Sequence, residues 1–555
     1  MIALGHTFYT DHADIEVVLH LYEEYGNDFL QYLNGMFAIA IWDLQTKKLF
    51  LARDRMGVKP LFYAVVGGEI VFSSEIKSIF QYPGYRKAMN CNALYHYFSF
   101  KNMVPPQTAF QGIYAMLPGH YGIWHDGQMR VHQYWKIDYS VKNSDSFPVA
   151  VEKIRSLLQD AAKIRLEADV DVGAFLSGGL DSSLATAMMA RQSRRKLKTF
   201  ALIYEPRKNS IYKKDLDRIC AEKVSKMYDV EHYEYLLRPQ EVLDFMPEVV
   251  RAFDQPFSGG TATYFLSRFI RKHVKVAVVG DGADELFGSY LAHRLAYPFH
   301  RYAEERNKLK SCQLNKASWM GEFSPIFLEN LFQKTDGDMG ELSYNLLQFR
   351  DDEKKALLSK TFLDACRVKK NEAPIEMFCT TRELVMAFHS IRTAEDPLDR
   401  ILEYDWHTML ANQVLPFVDF LSMANSLEVR CPYLDYRLVE YVASLPGNYK
   451  IHNNITKYIL KEAARGYLPD DVIYRPKEGF VLPIYDWMQS EYKEYAYDTL
   501  NEATIKRMDI FDYAYVSNLL NGYYENPEYC PQTAALIWNL IMFTNWYQTY
   551  FEQHL

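Results

Sequence analysis

The 555-residue chain lacks the features of membrane proteins, secreted disulfide scaffolds and nucleic-acid carriers. No stretch approaches the roughly 20 apolar residues that a membrane-spanning helix needs, and residues 1–6 lack the charged and apolar regions of a signal peptide. Its seven cysteines form no C-x-x-C pair and leave one thiol over, a pattern typical of reduced thiols in a cytosolic enzyme. We therefore expect a soluble, cytoplasmic protein that works without a membrane.

Positive charge is also scarce. The 62 basic residues are outnumbered by 70 acidic ones, which gives a net charge of −8. A nucleic-acid carrier normally shows a basic face, so we expect no nucleic-acid partner.

Single hydrophobic cores stop growing near about 250–300 residues, so a chain of this length predicts two or more domains.

The first part of the chain alternates short apolar runs with turns. Apolar residues at helical spacing predict a helix over 15–25 that ends at Gly26. The following runs predict strands of an antiparallel or mixed sheet, at residues 36–43, 48–54, 60–63 and 69–74. A polar stretch with one proline, residues 136–148, predicts a boundary between domains at 1–140 and 141–555.

The second part predicts a different architecture. A helix over 149–167 precedes a buried strand at 172–176, and further strands are predicted at 198–203 and 274–279. Helical patterns separate these strands, which is typical of a parallel, doubly wound sheet. From about residue 290 onward the pattern is mostly helical.

The most informative stretch is SGGLDSS, residues 177–183, between the first of these strands and a predicted helix. Glycines allow close approach of the backbone, and the first-turn N–H groups of a helix attract anions. Two serine hydroxyls add donors, and Asp181 could hold a divalent cation against phosphate oxygens. The loop is neither a Walker loop nor G-x-G-x-x-G. The alternative is a serine-capped helix after a glycine turn.

A second loop, GDGADELFG at residues 280–288, follows the third strand. Parallel strands bind ligands at their carboxyl ends, which places this loop on the same edge as SGGLDSS. Its carboxylates at Asp281, Asp284 and Glu285 suit Mg²⁺ beside a polyphosphate. The alternative is a surface turn that caps the next helix.

Lys457 and the RPKEGF segment at 475–480 could bind phosphates or carboxylates, although each alone is more often a surface ion pair.

SGGLDSS resembles the loop of the ATP pyrophosphatases. Residues 52–63 and 280–288 narrow the resemblance to the glutamine-hydrolysing asparagine synthetases of the bacterial B type, with matching segments from Gly5 to residues 477–484. The resemblance implies an α/β chain: a truncated Ntn-type glutaminase sheet domain, then a doubly wound parallel-sheet ATP-pyrophosphatase domain with a mostly helical C-terminal part. It also implies that ATP adenylates the aspartate side chain and ammonia displaces AMP, so the substrates are small molecules. A homodimer is compatible with the family.

The resemblance also assigns residues by position. It implies pyrophosphate binding by the loop and by Lys457, Mg²⁺ binding by Asp181 and Asp284, and a role for Asp281 in forming the adenylate. The implied ATP-binding residues are Phe175, Ser177, Gly178, Gly179, Leu180, Asp181, Ser182, Ser183, Leu202, Val279 and Gly280. The family usually has Leu-Ser-Gly at 278–280 and Gly at Ile203, so the adenosine pocket departs from its pattern.

The larger departure concerns the nitrogen source. The family's glutaminase carries a nucleophilic cysteine directly after the initiator Met, whereas the first cysteine here is Cys91. The oxyanion-hole Asn-Gly and the arginine that grips the glutamine carboxylate are also missing. Asp14 matches the family's glutamine-binding aspartate without its nucleophile. We expect ammonia-dependent synthesis only, an exposed sheet edge with an unfilled core, and an incomplete gene start rather than an evolved loss.

Two alternatives remain open from the sequence. A related amide synthetase could activate another carboxylate, as in β-lactam-forming or peptide-cyclising relatives that lack the cysteine. A non-catalytic scaffold or regulatory fragment is the other, and the presence of Ser177, Asp181, Asp284 and Lys457 argues against it.

Overall fold

In the computed structural model, residues 1–10, 13–207, 210, 212, 214–309, 318–366, 379–525 and 530–552 are described. The first part contains two antiparallel sheets, ordered β1-β2-β6-β7 and β4-β3-β5. Its elements are α1 (Asp14–Tyr25), β1 (Ala38–Asp43), β2 (Lys48–Arg53), β3 (Phe62–Val66), β4 (Glu69–Ser73), α2 (Ile76–Ile79), α3 (Cys91–Phe100), β5 (Ile113–Ala115), β6 (His120–His125) and β7 (Gln128–Gln133), with 3₁₀ turns at Ile2–Leu4 and Gly26–Tyr32.

One buried carboxylate organises the turn that leaves β2. Asp54 is 1% exposed. It accepts five backbone N–H bonds, to Oδ1 from Met56, Gly57 and Val58 and to Oδ2 from Phe37 and Lys59. Neighbouring Arg53 is buried as well and donates to the carbonyls of Gly57, Lys59 and Met116. A buried charge needs such partners, so this pair fixes the path of residues 54–59.

A five-stranded parallel sheet, ordered β10-β9-β8-β11-β12, forms the centre of the second part. Its elements up to residue 278 are α4 (Phe147–Leu166), β8 (Val172–Phe175), α5 (Leu180–Gln192), β9 (Lys198–Ile203), α6 (Lys214–Met227), β10 (Glu231–Leu236), α7 (Pro239–Asp244), α8 (Met246–Phe253), α9 (Ala262–Ile270) and β11 (Val276–Val278), and β12 (Glu428–Arg430) comes much later.

The strand order reverses beside β8. The chain runs outward from β8 through β9 to β10, and then crosses to the opposite side of β8 to form β11. Ligands of doubly wound sheets bind in the crevice beyond the carboxyl ends of the strands at such a switch point. The loops that follow β8 and β11 therefore meet there.

Helices dominate the remainder of the described chain. They are α10 (Ala283–Phe287), α11 (Leu291–Leu309), α12 (Pro325–Thr335), α13 (Met339–Asn345), α14 (Asp351–Leu357), α15 (Lys360–Cys366), α16 (Thr381–Ser390), α17 (Pro397–Asp405), α18 (Leu415–Met423), α19 (Tyr436–Ser444), α20 (Gly447–Lys450), α21 (Tyr458–Ala464), α22 (Asp470–Ile473), α23 (Ile484–Met488), α24 (Lys493–Thr499), α25 (Glu502–Met508), α26 (Tyr513–Glu525) and α27 (Pro531–Tyr547). Short 3₁₀ turns lie at Ser318–Met320 and Pro432–Leu434, and π-helical turns at Trp406–Val414 and Gln548–Glu552.

The last helix packs against the first part of the chain. Tyr97 of α3 donates from its hydroxyl to the Asn539 carbonyl of α27 at 3.1 Å, and the rings of Phe98 and Phe543 lie 4.9 Å apart. These residues belong to one large buried cluster that also contains α8 side chains. The N-terminal sheets and the C-terminal helices therefore share a core, which fixes the sites between them.

The predicted fold class is confirmed, and the element bounds differ in detail. α5 begins at Leu180, inside the loop, rather than at Leu184, because Gly179 has the extended conformation of an N-cap. Ile137 and Tyr139 of the predicted polar boundary are 2% and 1% exposed and pack in the core against α4. Among the described helices, none has the length and apolar character that crossing a bilayer requires.

We expect Asp54→Asn to lower the free energy of unfolding by about 3 kcal/mol, because the amide NH₂ would face backbone N–H donors that now bond to a carboxylate. Urea unfolding followed by fluorescence measures the change. Asp126→Asn is the control, since the Asp126 side chain is 85% exposed and its backbone has φ +50°, which asparagine tolerates. Equal unfolding midpoints for the two variants would contradict the proposed role of Asp54.

Candidate active site

Two loops meet at the switch point in backbone contact. The SGGLDSS loop follows β8, and the loop from Gly280 follows β11. A Cβ placed on Gly280 would lie 2.8 Å from the Ser182 nitrogen and 3.0 Å from the Asp181 carbonyl carbon. Real Cβ atoms do not approach so closely. A glycine at position 280 is therefore what allows the acidic loop to reach the helix N-terminus.

Gly178 is constrained by a second close approach. Its φ is +76°, and a Cβ there would lie 2.1 Å from the Asp217 carbonyl oxygen of α6. Only glycine combines this backbone conformation with this contact at low cost. The loop is also fixed by its serines: the Ser177 and Ser182 hydroxyls lie 3.0 Å apart, and the Ser177 N–H donates to Ser182 Oγ at 3.3 Å.

Lys457 is the centre of the site's charge network. Its ammonium lies 2.6 Å from Asp181 Oδ2 and 2.5 Å from Asp284 Oδ1, and its side chain is 6% exposed. Lys477 pairs with the other oxygen of Asp284 and donates to Ser289 Oγ at 3.1 Å. Lys457 also has a left-handed backbone, with φ 53°, a conformation that costs free energy in a non-glycine residue and is found at functional sites.

The carboxyl groups of the site differ in pKa, because the two lysines contact Asp284 and not Asp281. Burial acts to raise the pKa of Asp284, but Lys457 and Lys477 outweigh it and hold that pKa far below its ordinary value. Burial acts to lower the pKa of Lys457, but Asp181 and Asp284 outweigh it and raise that pKa. Asp284 and Lys457 are therefore both charged at neutral pH.

Asp281 behaves differently because, among the described residues, no lysine forms an ion pair with it. Burial, reinforced by the negative charges of Glu285 and Asp284, raises the pKa of Asp281 to about 7. Burial also raises the pKa of Glu285, whose carboxylate accepts from the Tyr290 hydroxyl at 2.6 Å. At neutral pH the Asp281 carboxyl therefore exists in both protonated and charged forms.

An arginine secures the loop from the C-terminal side. Arg475 donates through Nη1 to the Gly178 carbonyl at 2.8 Å and pairs with Asp217. Tyr433, just after β12, donates from its hydroxyl to the Asp181 carbonyl at 3.0 Å. Arg475 belongs to the RPKEGF segment, for which the sequence predicted phosphate or carboxylate binding and not this contact with the loop. Asp217 and Ser289 were not predicted, because neither lies in a recognisable motif.

Most of the predicted nucleotide-binding residues line one cavity of about 170 Å³. The lining includes Phe175, Ser177, Gly179, Leu180, Asp181, Ser182, Leu202, Val279, Gly280, Asp281, Asp284 and Lys457. Gly178 and Ser183 are not part of the lining. Gly178 contacts α6 instead, and Ser183 is completely buried beneath the loop.

A second cavity, of about 500 Å³, adjoins the first. Both are lined by Asp281, Asp284 and Lys477. The second cavity extends between α18 and the Gly259–Gly260 turn toward α27. The charged network therefore stands at the junction of two cavities.

Asp14, the predicted glutamine-binding residue, lies apart from this site. It is the first residue of α1 and lines a third cavity of about 1170 Å³, together with Lys59 and Asp419. None of the six cysteines in the described part of the chain lines this cavity, and Cys312 is outside that part. Nearby, β1 is an edge strand in which Trp42 is 52% exposed.

One oxygen of the two carboxylates that Lys457 bridges accepts no hydrogen bond from the described residues. Asp181 Oδ1 is buried and has no hydrogen-bond partner among the described residues. Buried polar oxygens almost always have a partner. A carboxylate oxygen of this kind, beside the second carboxylate of Asp284, fits a hard divalent cation that prefers oxygen ligands.

Comparison with known proteins agrees with the geometry. The asparagine synthase family matches residues 153–548, and a glutamine amidotransferase domain matches residues 1–135. Asparagine synthetase [glutamine-hydrolyzing] 3 of Bacillus subtilis is 32% identical over 86% of this chain and 72% of its own length. Asparagine synthetase [glutamine-hydrolyzing] 1 of the same organism is 29% identical over 99% of this chain and 83% of its own length. Amidase chry2 of Gibberella zeae is 25% identical over 94% and 80%.

We expect Gly280→Ala to weaken ATP binding by at least about tenfold, roughly 1.4 kcal/mol, because the new methyl group would push the acidic loop away from Ser182. Isothermal titration calorimetry measures the affinity. Gly522→Ala, within α26, is the matched control, because a Cβ there meets nothing within 4 Å. Native affinity in Gly280→Ala would refute the requirement for close approach.

Proposed function

The chain belongs to the asparagine synthase family, and we propose that it uses ATP to convert aspartate to asparagine with release of AMP and pyrophosphate. The side-chain carboxylate of aspartate would attack the α-phosphorus of ATP, which expels pyrophosphate and forms an acyl adenylate. Ammonia would then attack the acyl carbon and expel AMP. The observation that carries the proposal is the Lys457 network, placed where the nucleotide cavity and the second cavity meet.

Phosphate binding is assigned to the start of α5. Leu180, Asp181 and Ser182 form the first turn of α5, where the N–H groups of a helix have no intrahelical partner and attract anions. The hydroxyls of Ser177 and Ser182 add donors, and Lys457 supplies a buried positive charge. Such preorganised charge is worth most where negative charge develops, which here is the departing pyrophosphate.

Mg²⁺ would be held by Asp181 and Asp284. In this position the ion would neutralise polyphosphate charge and so weaken the repulsion between ATP and a carboxylate acceptor. The unsatisfied Oδ1 of Asp181 supports this assignment. Lys457 would then shift from bridging the two carboxylates toward the phosphates, which its four-carbon stem allows.

The adenosine would occupy the apolar part of the first cavity. Phe175, Leu202 and Val279 lie at the carboxyl ends of β8, β9 and β11 and line this part together. Apolar walls contribute affinity through burial of the base. This explains why the pocket tolerates a valine where the family usually has serine.

The acceptor would occupy the second cavity, beside Asp281. A carboxyl group with a pKa near 7 repels an incoming carboxylate less than a permanently charged one and can donate a hydrogen bond when protonated. Lys477 lines the same cavity and offers a positive charge. We assign Asp281 the catalytic role of positioning the aspartate carboxylate for attack on ATP.

Nitrogen would come from free ammonia in the 555-residue chain. Asp14 alone lacks the chemistry to release ammonia from glutamine, because a carboxylate that binds an α-ammonium group does not attack an amide. The absence of a cysteine from the Asp14 cavity, among the described residues, supports this assignment. Asp14 would retain a binding role for glutamine without a catalytic one.

We expect Lys457→Met to reduce kcat/KM for pyrophosphate release by about 10²–10³-fold, because both loop carboxylates lose their counter-charge and the phosphates lose a cation. A coupled pyrophosphate assay with ATP, aspartate and ammonium chloride measures the rate, and circular dichroism checks the fold. Lys196→Met is the control, since this lysine is itself exposed and pairs with the exposed Asp229. A Lys457→Met rate within a factor of three of the native rate would overturn the assignment.

We expect the purified 555-residue polypeptide to form asparagine from ammonium chloride and not from glutamine. Asp14→Asn should leave the ammonia-dependent rate unchanged, since Asp14 lines a separate cavity. Amino-acid analysis of the products measures both reactions. Asparagine formed from glutamine as the sole nitrogen source would contradict the proposed source, and pyrophosphate release stimulated by another carboxylate but not by aspartate would favour a different amide synthetase.

A further inference from the structure

Two histidines and a glutamate converge on the outer side of α1, away from the ATP loop. His6 belongs to the segment that precedes the helix, and His20 and Glu23 occupy consecutive turns of α1. Residues three apart in a helix share a face, so the helix presents an imidazole and a carboxylate side by side. The segment from Gly5 crosses this face and adds the second imidazole.

The three side chains direct single atoms toward one point. His6 Nδ1 and His20 Nδ1 lie 3.1 Å apart. Glu23 Oε2 lies 3.6 Å from His20 Nδ1 and 4.0 Å from His6 Nδ1. Metal–ligand bonds of about 2.0–2.2 Å in a tetrahedral zinc site place ligand atoms roughly 3.3 Å apart. The three atoms therefore outline one face of such a tetrahedron.

The outer nitrogen of each ring faces a different carboxylate. His6 Nε2 lies 3.3 Å from Glu24 Oε2, and His20 Nε2 lies 3.8 Å from Glu16 Oε1. A metal-bound histidine usually donates its second N–H to a carboxylate, which fixes the tautomer and directs the other nitrogen to the metal. The His6 ring has this arrangement, whereas His20 Nε2 faces Glu16 beyond hydrogen-bond distance. In both rings Nδ1 is the inner atom.

The outer carboxylate of Glu16 is itself fixed. It accepts N–H bonds from the Tyr9 and Thr10 backbones at 2.5 and 2.8 Å and also bonds to the Thr10 hydroxyl. The Phe8 ring covers His20, with ring centroids 4.6 Å apart. The histidine side chains are only 15% and 17% exposed, whereas Glu23 approaches from the solvent side. The cluster is thus partly enclosed between α1 and residues 6–10.

Charge favours a cation at this point. Glu16, Glu23 and Glu24 surround two rings that are uncharged when they act as ligands. Glu23 and Glu24 also lie in the last turn of α1, where the helix dipole disfavours negative charge. A divalent ion would offset both effects.

We propose that His6, His20 and Glu23 bind one divalent transition-metal ion of the zinc class, through two Nδ1 atoms and one carboxylate oxygen, with water as a fourth ligand. Imidazole nitrogens favour zinc and its neighbours over Mg²⁺, so this site differs in chemistry from the proposed magnesium site. The ion would attach residues 5–10 to α1, at the far side of the helix that begins with Asp14.

The test uses the full 555-residue chain after treatment with a chelator and dialysis. We expect one equivalent of Co²⁺ to give the intense visible absorption of tetrahedral cobalt, and Zn²⁺ to displace it whereas excess Mg²⁺ does not. His20→Asn and His6→Asn should abolish this absorption. Glu24→Gln should weaken Zn²⁺ binding about 10–100-fold, as expected for a ligand-orienting carboxylate.

His125→Asn is the matched control, because His125 lies in β6 beside an exposed aspartate and outside the cluster. It should bind Co²⁺ as the native chain does. Circular dichroism and the ATP-induced rise in melting temperature establish that each variant is folded. A native chain that binds no stoichiometric Co²⁺ or Zn²⁺ would overturn the proposal and leave an imidazole–imidazole hydrogen bond only. Unchanged binding in both histidine variants would equally overturn it.

Discussion

The active site depends on one buried lysine that lies between two carboxylates from different strands. Asp181 follows β8 and Asp284 follows β11, and both carboxylates contact the same ammonium group. Two uncompensated negative charges so close together would repel strongly in a buried setting. Lys457 joins them at the cost of a left-handed backbone. The position of α21, which Lys457 precedes, is therefore coupled to the geometry of both loops, although Lys457 lies 276 residues beyond Asp181 in the chain.

This electrostatic arrangement requires close contact between the backbones of the SGGLDSS loop, the loop from Gly280 and α6. Gly280 rests on the Asp181–Ser182 backbone, and Gly178 rests on α6. A Cβ on Gly280 would push the acidic loop away from the Asp181–Ser182 backbone, and a Cβ on Gly178 would push the SGGLDSS loop away from α6. Steric and electrostatic requirements thus act at the same few residues. Ser183, although it belongs to SGGLDSS, is completely buried beneath the loop and does not line the first cavity.

The sequence predicted those parts of the site that lie in contiguous motifs. A strand, a glycine turn and a helix start are local features, so SGGLDSS and the acidic loop could be assigned to the same sheet edge. The clamp formed by Arg475 and Asp217 joins positions 258 residues apart and has no local pattern. β12 is three residues long, and β10 alternates charged and aromatic residues, so neither resembles a buried strand. The start of α5 was misjudged because glycine as an N-cap resembles an ordinary turn.

The two halves of the chain meet at α18, and this helix has a different neighbour on each side. Phe417 and Val418 line the cavity beside Asp281, whereas Asp419 and Phe420 line the cavity that contains Asp14. Asp419 is also the partner of Lys59, at 2.6 Å, in the turn fixed by Asp54. A shift of the N-terminal sheets would therefore move α18 and, through it, the wall of the second cavity. The N-terminal part thus helps to fix the geometry of the second cavity.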